Sequence, residues 1–146
     1  MEQQSESRRM KYSLKVIQEV AHPQNMRRMS DPDTFGIVRG GCGDTMEIYL
    51  RLDGEKILEA TFMTNGRESA IACGNMLTTM VRGLTMEEAG KISSEELIAA
   101  LGGLPESKRH CAGLTVSALQ AAFASWFAQL HSQERTNARA ITPERR

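Results

Sequence analysis

The chain has 146 residues and a formal net charge of zero, with 18 Lys and Arg against 18 Asp and Glu. That length suits one domain with its own core, and the balanced charge removes the electrostatic case for nucleic acid or an anionic membrane as partner. The start Met1-Glu2-Gln3-Gln4-Ser5-Glu6 lacks a secretory apolar stretch, and no run of about 18 apolar residues is apparent. A reducing cytoplasmic setting is therefore expected, with the three cysteines read as metal or redox groups and not as a disulfide framework.

In chain order, residues 1–10 are polar and expected to be disordered. Tyr12, Val16, Ile17 and Val20 recur at helical spacing and predict a short amphipathic helix ending before His22-Pro23. A loop through Asp31-Pro32 leads to a strand at Phe35, Ile37 and Val38. Thr45–Leu52 and Lys56–Met63 flank Asp53-Gly54-Glu55 and read as a hairpin, with Ile57, Glu59 and Thr61 alternating against Leu58, Ala60 and Phe62. Ser69 to Arg82 is helical, with Ala70, Cys73, Leu77, Met80 and Val81 on one stripe. Two capping boxes, at Thr85–Glu88 and Ser93–Glu96, open short helices, and Gly102-Gly103 ends the second. A last helix is predicted from about 109 to 130, with Leu114, Leu119, Ala122, Phe123, Trp126 and Leu130 as core contacts. Residues 131–146 are expected to form a disordered polar tail. Strands first and helices after, without alternation, give an α+β domain over 11–130.

The chemistry gathers at Gly40-Gly41-Cys42-Gly43-Asp44-Thr45 and at His110-Cys111. In extended backbone, residues i and i+2 point to the same side, so Cys42 and Asp44 could meet at one ion; a buried, inert Cys42 is the competing reading. Two thiolates, an imidazole and a carboxylate form an acceptable tetrahedral set for zinc. A cysteine in the first turn of the last helix should be favoured as thiolate by the positive end of the helix dipole. Neighbours on a helix splay by about 100°, so His110 is poorly placed as a base for Cys111, and no enzyme activity is expected.

Several motifs together resemble the NifU/IscU family of iron–sulfur cluster assembly scaffolds. They are Tyr12-Ser13-x-Lys15-Val16-Ile17, Pro23-x-Asn25, Gly41-Cys42-Gly43-Asp44, Ser69-Ala70-Ile71-Ala72, Gly102-Gly103-Leu104-Pro105 and Lys108-x-His110-Cys111. The resemblance implies a small three-stranded antiparallel sheet covered on one side by about five helices. It implies a site at one end that takes iron, zinc or a labile iron–sulfur cluster, fed by a cysteine desulfurase and emptied into apo iron–sulfur proteins. The ligands it implies are Cys42, Asp44, His110 and Cys111. At the family's remaining cysteine position this chain has Arg67, within Thr64-Asn65-Gly66-Arg67-Glu68-Ser69. Arg67 cannot ligate, having no acceptor and no accessible deprotonated form. Cys73, six residues on and so about 9 Å along a helix, reads as a core residue. Leu104, Pro105 and Lys108 match parts of the segment that an Hsp70-type chaperone reads in the IscU branch, while Glu106-Ser107 departs from it. The alternative implied by Arg67 is a metal-binding or metal-free interaction module of the same fold that no longer assembles clusters.

Overall fold

The structure is a computed structural model and describes residues 12–141. Its elements are α1 (Leu14–Ala21), β1 (Thr34–Arg39), β2 (Thr45–Asp53), β3 (Lys56–Thr64), α2 (Glu68–Val81), α3 (Met86–Gly90), α4 (Ser94–Ala100), a 3-10 turn (Glu106–Lys108) and α5 (His110–Ile141). The three strands form an antiparallel sheet in the order β1-β2-β3. The expected α+β architecture is present, and the expected disorder of residues 1–10 lies outside the described residues.

One face of the sheet carries the core. Met46, Ile48 and Leu50 from β2 and Ile57, Ala60 and Phe62 from β3 are fully buried there, beneath α2 and α5. The simple alternation read for β3 fails at its start. A register shift between Arg51 and Leu52 brings Ile57 onto the face of Ala60 and Phe62 and leaves Leu58 51% exposed. Both covering helices approach the sheet through glycines. A Cβ on Gly36 of β1 would sit 2.2 Å from the Ala118 carbonyl oxygen of α5, and one on Gly74 of α2 would sit 2.3 Å from Phe62. Thr34 adds a buried hydrogen bond, its hydroxyl donating to the Ala122 carbonyl at 2.9 Å.

The opposite face is crossed by the segment between α1 and β1. The Phe62 amide on β3 donates to Asn25, the Arg28 guanidinium donates to the Glu47 carboxylate on β2 at 3.0 and 3.2 Å, and the Asp33 amide donates to Leu50. The exposed ion pairs here, Arg27–Glu59 and Arg51–Glu59 among them, contribute little by themselves. Asn25 is the anchor. It is buried, its side-chain amide donates to Thr78 and Thr79, its carbonyl oxygen accepts from Arg82, and its backbone amide donates to Asn75. Asn25→Ala removes three side-chain hydrogen bonds, and the expected loss is about 2–3 kcal/mol, measured as a lower urea midpoint at unchanged slope.

Two expectations for the last helix are corrected. It does not stop near 130 but runs to Ile141, because after Gly113 no glycine or proline breaks it before Pro143; the expected disorder of residues 142–146 lies outside the described residues. Leu130 is 37% exposed and Phe127 51%, since this end of α5 passes beyond the sheet. The helix also contains an 18-residue window apolar enough to match a membrane span, contrary to the reading that no such run exists. Its apolar residues include Leu114, Ala118, Leu119 and Ala122, all buried against the rest of the domain.

Candidate metal centre at the end of the sheet

Antiparallel pairing brings two connections to one end of the sheet. Arg39 pairs with Thr45 and Met46 with Thr64, so the β1–β2 loop and the exit from β3 are neighbours. Hydrogen bonds hold them together: Thr45 N–H donates to the Asn65 side chain at 2.8 Å, Thr64 Oγ1 donates to the Thr45 carbonyl, and Gly66 N–H donates to Thr64 Oγ1 at 3.0 Å. The loop itself turns through Gly43 N–H donating to the Gly40 carbonyl, with Gly43 at φ +95°, a conformation that favours glycine. Cys42 is thereby exposed, its sulfur 3.7 Å from where a Cβ on Gly40 would stand, while Leu114 of α5 walls the same space. Asp44 turns back over Gly66, its Oδ2 2.9 Å from where a Cβ on that residue would be.

The helix starts complete the site. Arg67 is the N-cap of α2, makes no side-chain capping bond, and is exposed. Two residues on, buried Ser69 places its Oγ 3.2 Å from Cys111 Sγ in the first turn of α5. Sequence reading matched Ser69 within a motif but missed this contact. The available signal was its i+2 relation to Arg67. His110 is exposed, yet its Nε2 lies 3.8 Å from Cys111 Sγ, so the expected splay is partly undone by the imidazole folding back.

The electrostatics at Cys111 overturn the expectation of a dipole-stabilised thiolate. Its residue exposure is 4%, and burial pushes the thiol above its ordinary value. The Ser69 hydrogen bond opposes this, the Asp44 charge adds to it, Lys108 opposes it and Cys42 adds again. Desolvation is the largest influence on this thiol, and the net direction is up. The cation acting on this thiol is Lys108, and Arg67 forms no ion pair with Glu68 or Asp44. The resting thiol is protonated at neutral pH, so a metal must displace a proton to bind, and occupancy should rise with pH.

Among the described residues, no group of three or more His, Cys, Asp or Glu side chains is gathered closely enough to hold a metal ion. Cys42 and Asp44 are near enough for their charges to act on the Cys111 thiol and His110 Nε2 lies beside it, but the four do not converge on one point. Cys73 takes no part. It is fully buried in the core, where burial, reinforced by the Cys111 charge, drives its thiol far up against the opposing Thr115 hydrogen bond. Leu104 and Pro105 line a separate cleft of about 610 Å³ with Ser13, Gly102 and Gly103. Lys108 ends the 3-10 turn beside it.

Residues 11–133 match the family model described as the NifU-like N terminal domain. The iron-sulfur cluster assembly scaffold protein IscU 1 of Archaeoglobus fulgidus is 40% identical over 117 residues, covering 80% of this chain and 76% of that one. The scaffold protein IscU of Haemophilus influenzae is 37% identical over 125 residues, covering 82% and 98%. Among solved structures, a putative iron-sulfur cluster assembly scaffold protein for the SUF system from Fervidobacterium islandicum superposes with a TM-score of 0.65 at 20% identity. It covers 78% of this chain and 97% of its own, and this likeness shows the fold.

Proposed function

Since the chain belongs to the NifU-like N-terminal domain family, we propose that it is an iron–sulfur cluster assembly scaffold. Its cargo is iron with sulfide, taken up at Cys42, Asp44, His110 and Cys111 and passed to apo-proteins. Sulfur would come from a cysteine desulfurase. The Leu104-Pro105 cleft with Lys108 is the candidate contact for an Hsp70-type chaperone. The observation that carries the reading is the Ser69–Cys111 contact at 3.2 Å. It brings the start of α2, next to the Asp44 carboxylate, against the start of α5, which supports reading the two thiols, the carboxylate and the imidazole as one donor set.

The donor set limits what is held. Two thiolates, one imidazole and one carboxylate suit a single zinc or ferrous ion, whereas iron–sulfur clusters are held chiefly by thiolates. Binding releases the Cys111 proton to solvent, and Lys108 is the cation placed to compensate the charge left behind. The protein's part is to hold and present cargo rather than to transform a substrate.

Arg67 favours a second reading, a module of the same fold that binds a single metal, or none, and builds no cluster. Elemental analysis of the wild type, Cys42→Ala and Cys111→Ala after anaerobic loading with ferrous iron or zinc tests the site. About one metal per chain is expected in the wild type, with a loss of at least roughly ten-fold in affinity in each variant. Equal metal content in all three removes the site.

A further inference from the structure

The two edges of the sheet differ. The outer side of β3 is covered: Phe62 N–H donates to Asn25, Ile57 N–H donates to Leu84, and Met26 and Thr85 form bridges to Phe62 and Lys56. Among the described residues, no segment pairs with the outer side of β1. Gly40 N–H donates to the Asp44 carbonyl on the β2 side, and Val38 and Gly36 are in phase with it. The N–H and C=O groups of Phe35, Ile37 and Arg39 therefore point out from the edge. Such an edge is a template for another strand, and β1 has no proline and only one charge to prevent pairing. Phe35 and Ile37, on the face away from α5, are 46% and 52% exposed.

We infer that β1 pairs with β1 of a second copy of this chain, antiparallel about a two-fold axis at Ile37, joining two sheets into one of six strands. That register sets Ile37 opposite its counterpart and Phe35 opposite Arg39 of the second copy. Charge selects this occupant. Asp33 and Arg39 are exposed at the two ends of β1, and neither makes an ion pair among the described residues. Antiparallel self-pairing brings each Arg39 diagonal to an Asp33 on the same face, within reach of a long side chain; parallel pairing would set like charges together. Arg39 also meets the Phe35 ring, which Tyr49 holds by stacking at 5.6 Å.

The covering helix leaves room for the second copy. Opposite its flank buried on the domain, which carries Ala112 and Leu119, α5 presents Ser117, Ala121, Ala124, Ser125 and Ala128. Ala121 is beside the strand, its Cβ 2.8 Å from where a Cβ on Gly36 would stand. Small side chains let two helices pass at about 8 Å, a spacing that helices lying over strands about 4.8 Å apart require. The two β1–β2 loops end about 20 Å apart along the joined strands, so both exposed Cys42 residues remain accessible. A strand edge and a helix flank form a small interface, at or below about 1,200 Å² in total, so a reversible dimer of micromolar Kd is expected.

Sedimentation equilibrium of the full-length chain, with chelator and reductant present so that neither metal nor disulfide joins chains, tests this. From micromolar to submillimolar concentration, the wild-type mass should rise from 16.2 kDa toward twice that value. Ile37→Lys and Ile37→Glu each set like charges on the axis and should raise Kd by roughly ten-fold or more. Both side chains point to solvent in the single chain, so urea midpoints should stay near that of the wild type. An equimolar mixture of the two variants should regain the dimer, because residue 37 then meets its opposite charge. Arg39→Gln should weaken the dimer about five-fold. A wild type that stays monomeric leaves the edge to another partner and overturns the inference. Undiminished dimerisation of Ile37→Lys, or a mixture that does not regain the dimer, overturns it equally.

Discussion

Arg67→Cys, reconstituted anaerobically with ferrous iron and sulfide in the absence of added thiol, should hold several-fold more cluster after desalting than the wild type, read as visible absorbance per chain. The substitution places a third thiolate at the N-cap of α2, two residues before the Ser69 hydroxyl that touches Cys111 and one residue after the glycine that meets Asp44. Thiolates are the preferred cluster ligands, and a thiol at a helix N-terminus that stays solvent-accessible is favoured in its charged form. Burial opposes that charge at Cys111; position 67 is exposed and escapes the penalty. Arg67→Ala is the decisive control, because it clears the guanidinium without adding a ligand and should remain near the wild-type level. If the wild type and Arg67→Ala assemble as much stable cluster as Arg67→Cys, the third thiolate is unnecessary and the two cysteines with Asp44 and His110 suffice.

Gly36→Ala should be the most damaging single-methyl change in the domain, with a loss of about 3 kcal/mol or more by overpacking. The added Cβ would lie 2.2 Å from the Ala118 carbonyl oxygen and 2.5 Å from the Ala122 amide nitrogen, both backbone atoms that move only if α5 moves. Displacing α5 would also strain the Thr34–Ala122 hydrogen bond. Gly74→Ala should cost somewhat less, about 2 kcal/mol, because its obstacle is the Phe62 ring and alanine recovers close to 1 kcal/mol of helix propensity. Phe62 is fully buried, so its ring has no free space into which to turn. Gly113→Ala provides the contrast: apart from its chain neighbours and its own helix backbone, nothing stands within 4 Å of the new methyl, and this helical position should gain about 0.5–1 kcal/mol. Urea unfolding of the three variants checks the order, and a Gly36→Ala protein as stable as the wild type would refute the close packing of α5 on β1.

The elements were legible in the sequence wherever a local rule operates. Alternation marked the hairpin, and Asp53-Gly54-Glu55 supplied its turn. The capping boxes Thr85–Glu88 and Ser93–Glu96 opened the two short helices, and both are closed by reciprocal hydrogen bonds in the structure. Spacing placed Cys73 on the buried stripe of α2, where it lies. These features depend on residues within about one turn or one strand of each other, and that is the range over which backbone preference and side-chain period act.

Longer-range features were settled only by tertiary packing. The sequence set the residue types at positions 36 and 74, but not that one glycine would meet a helix backbone and the other a phenylalanine ring. The dipole argument for Cys111 was sound locally and failed because the surrounding fold buries the thiol, a desolvation cost that no sequence window contains. The helix past residue 130 was misjudged from the opposite side: lack of apolar residues there implied disorder, whereas uninterrupted propagation from the packed half of α5 carries the helix to Ile141. By itself the sequence determined which donors the chain owns and that Arg67 stands among them. The fold decided which of the elements carrying them become neighbours: antiparallel pairing sets the β1–β2 loop beside the start of α2, and packing of α5 sets its first turn against Ser69.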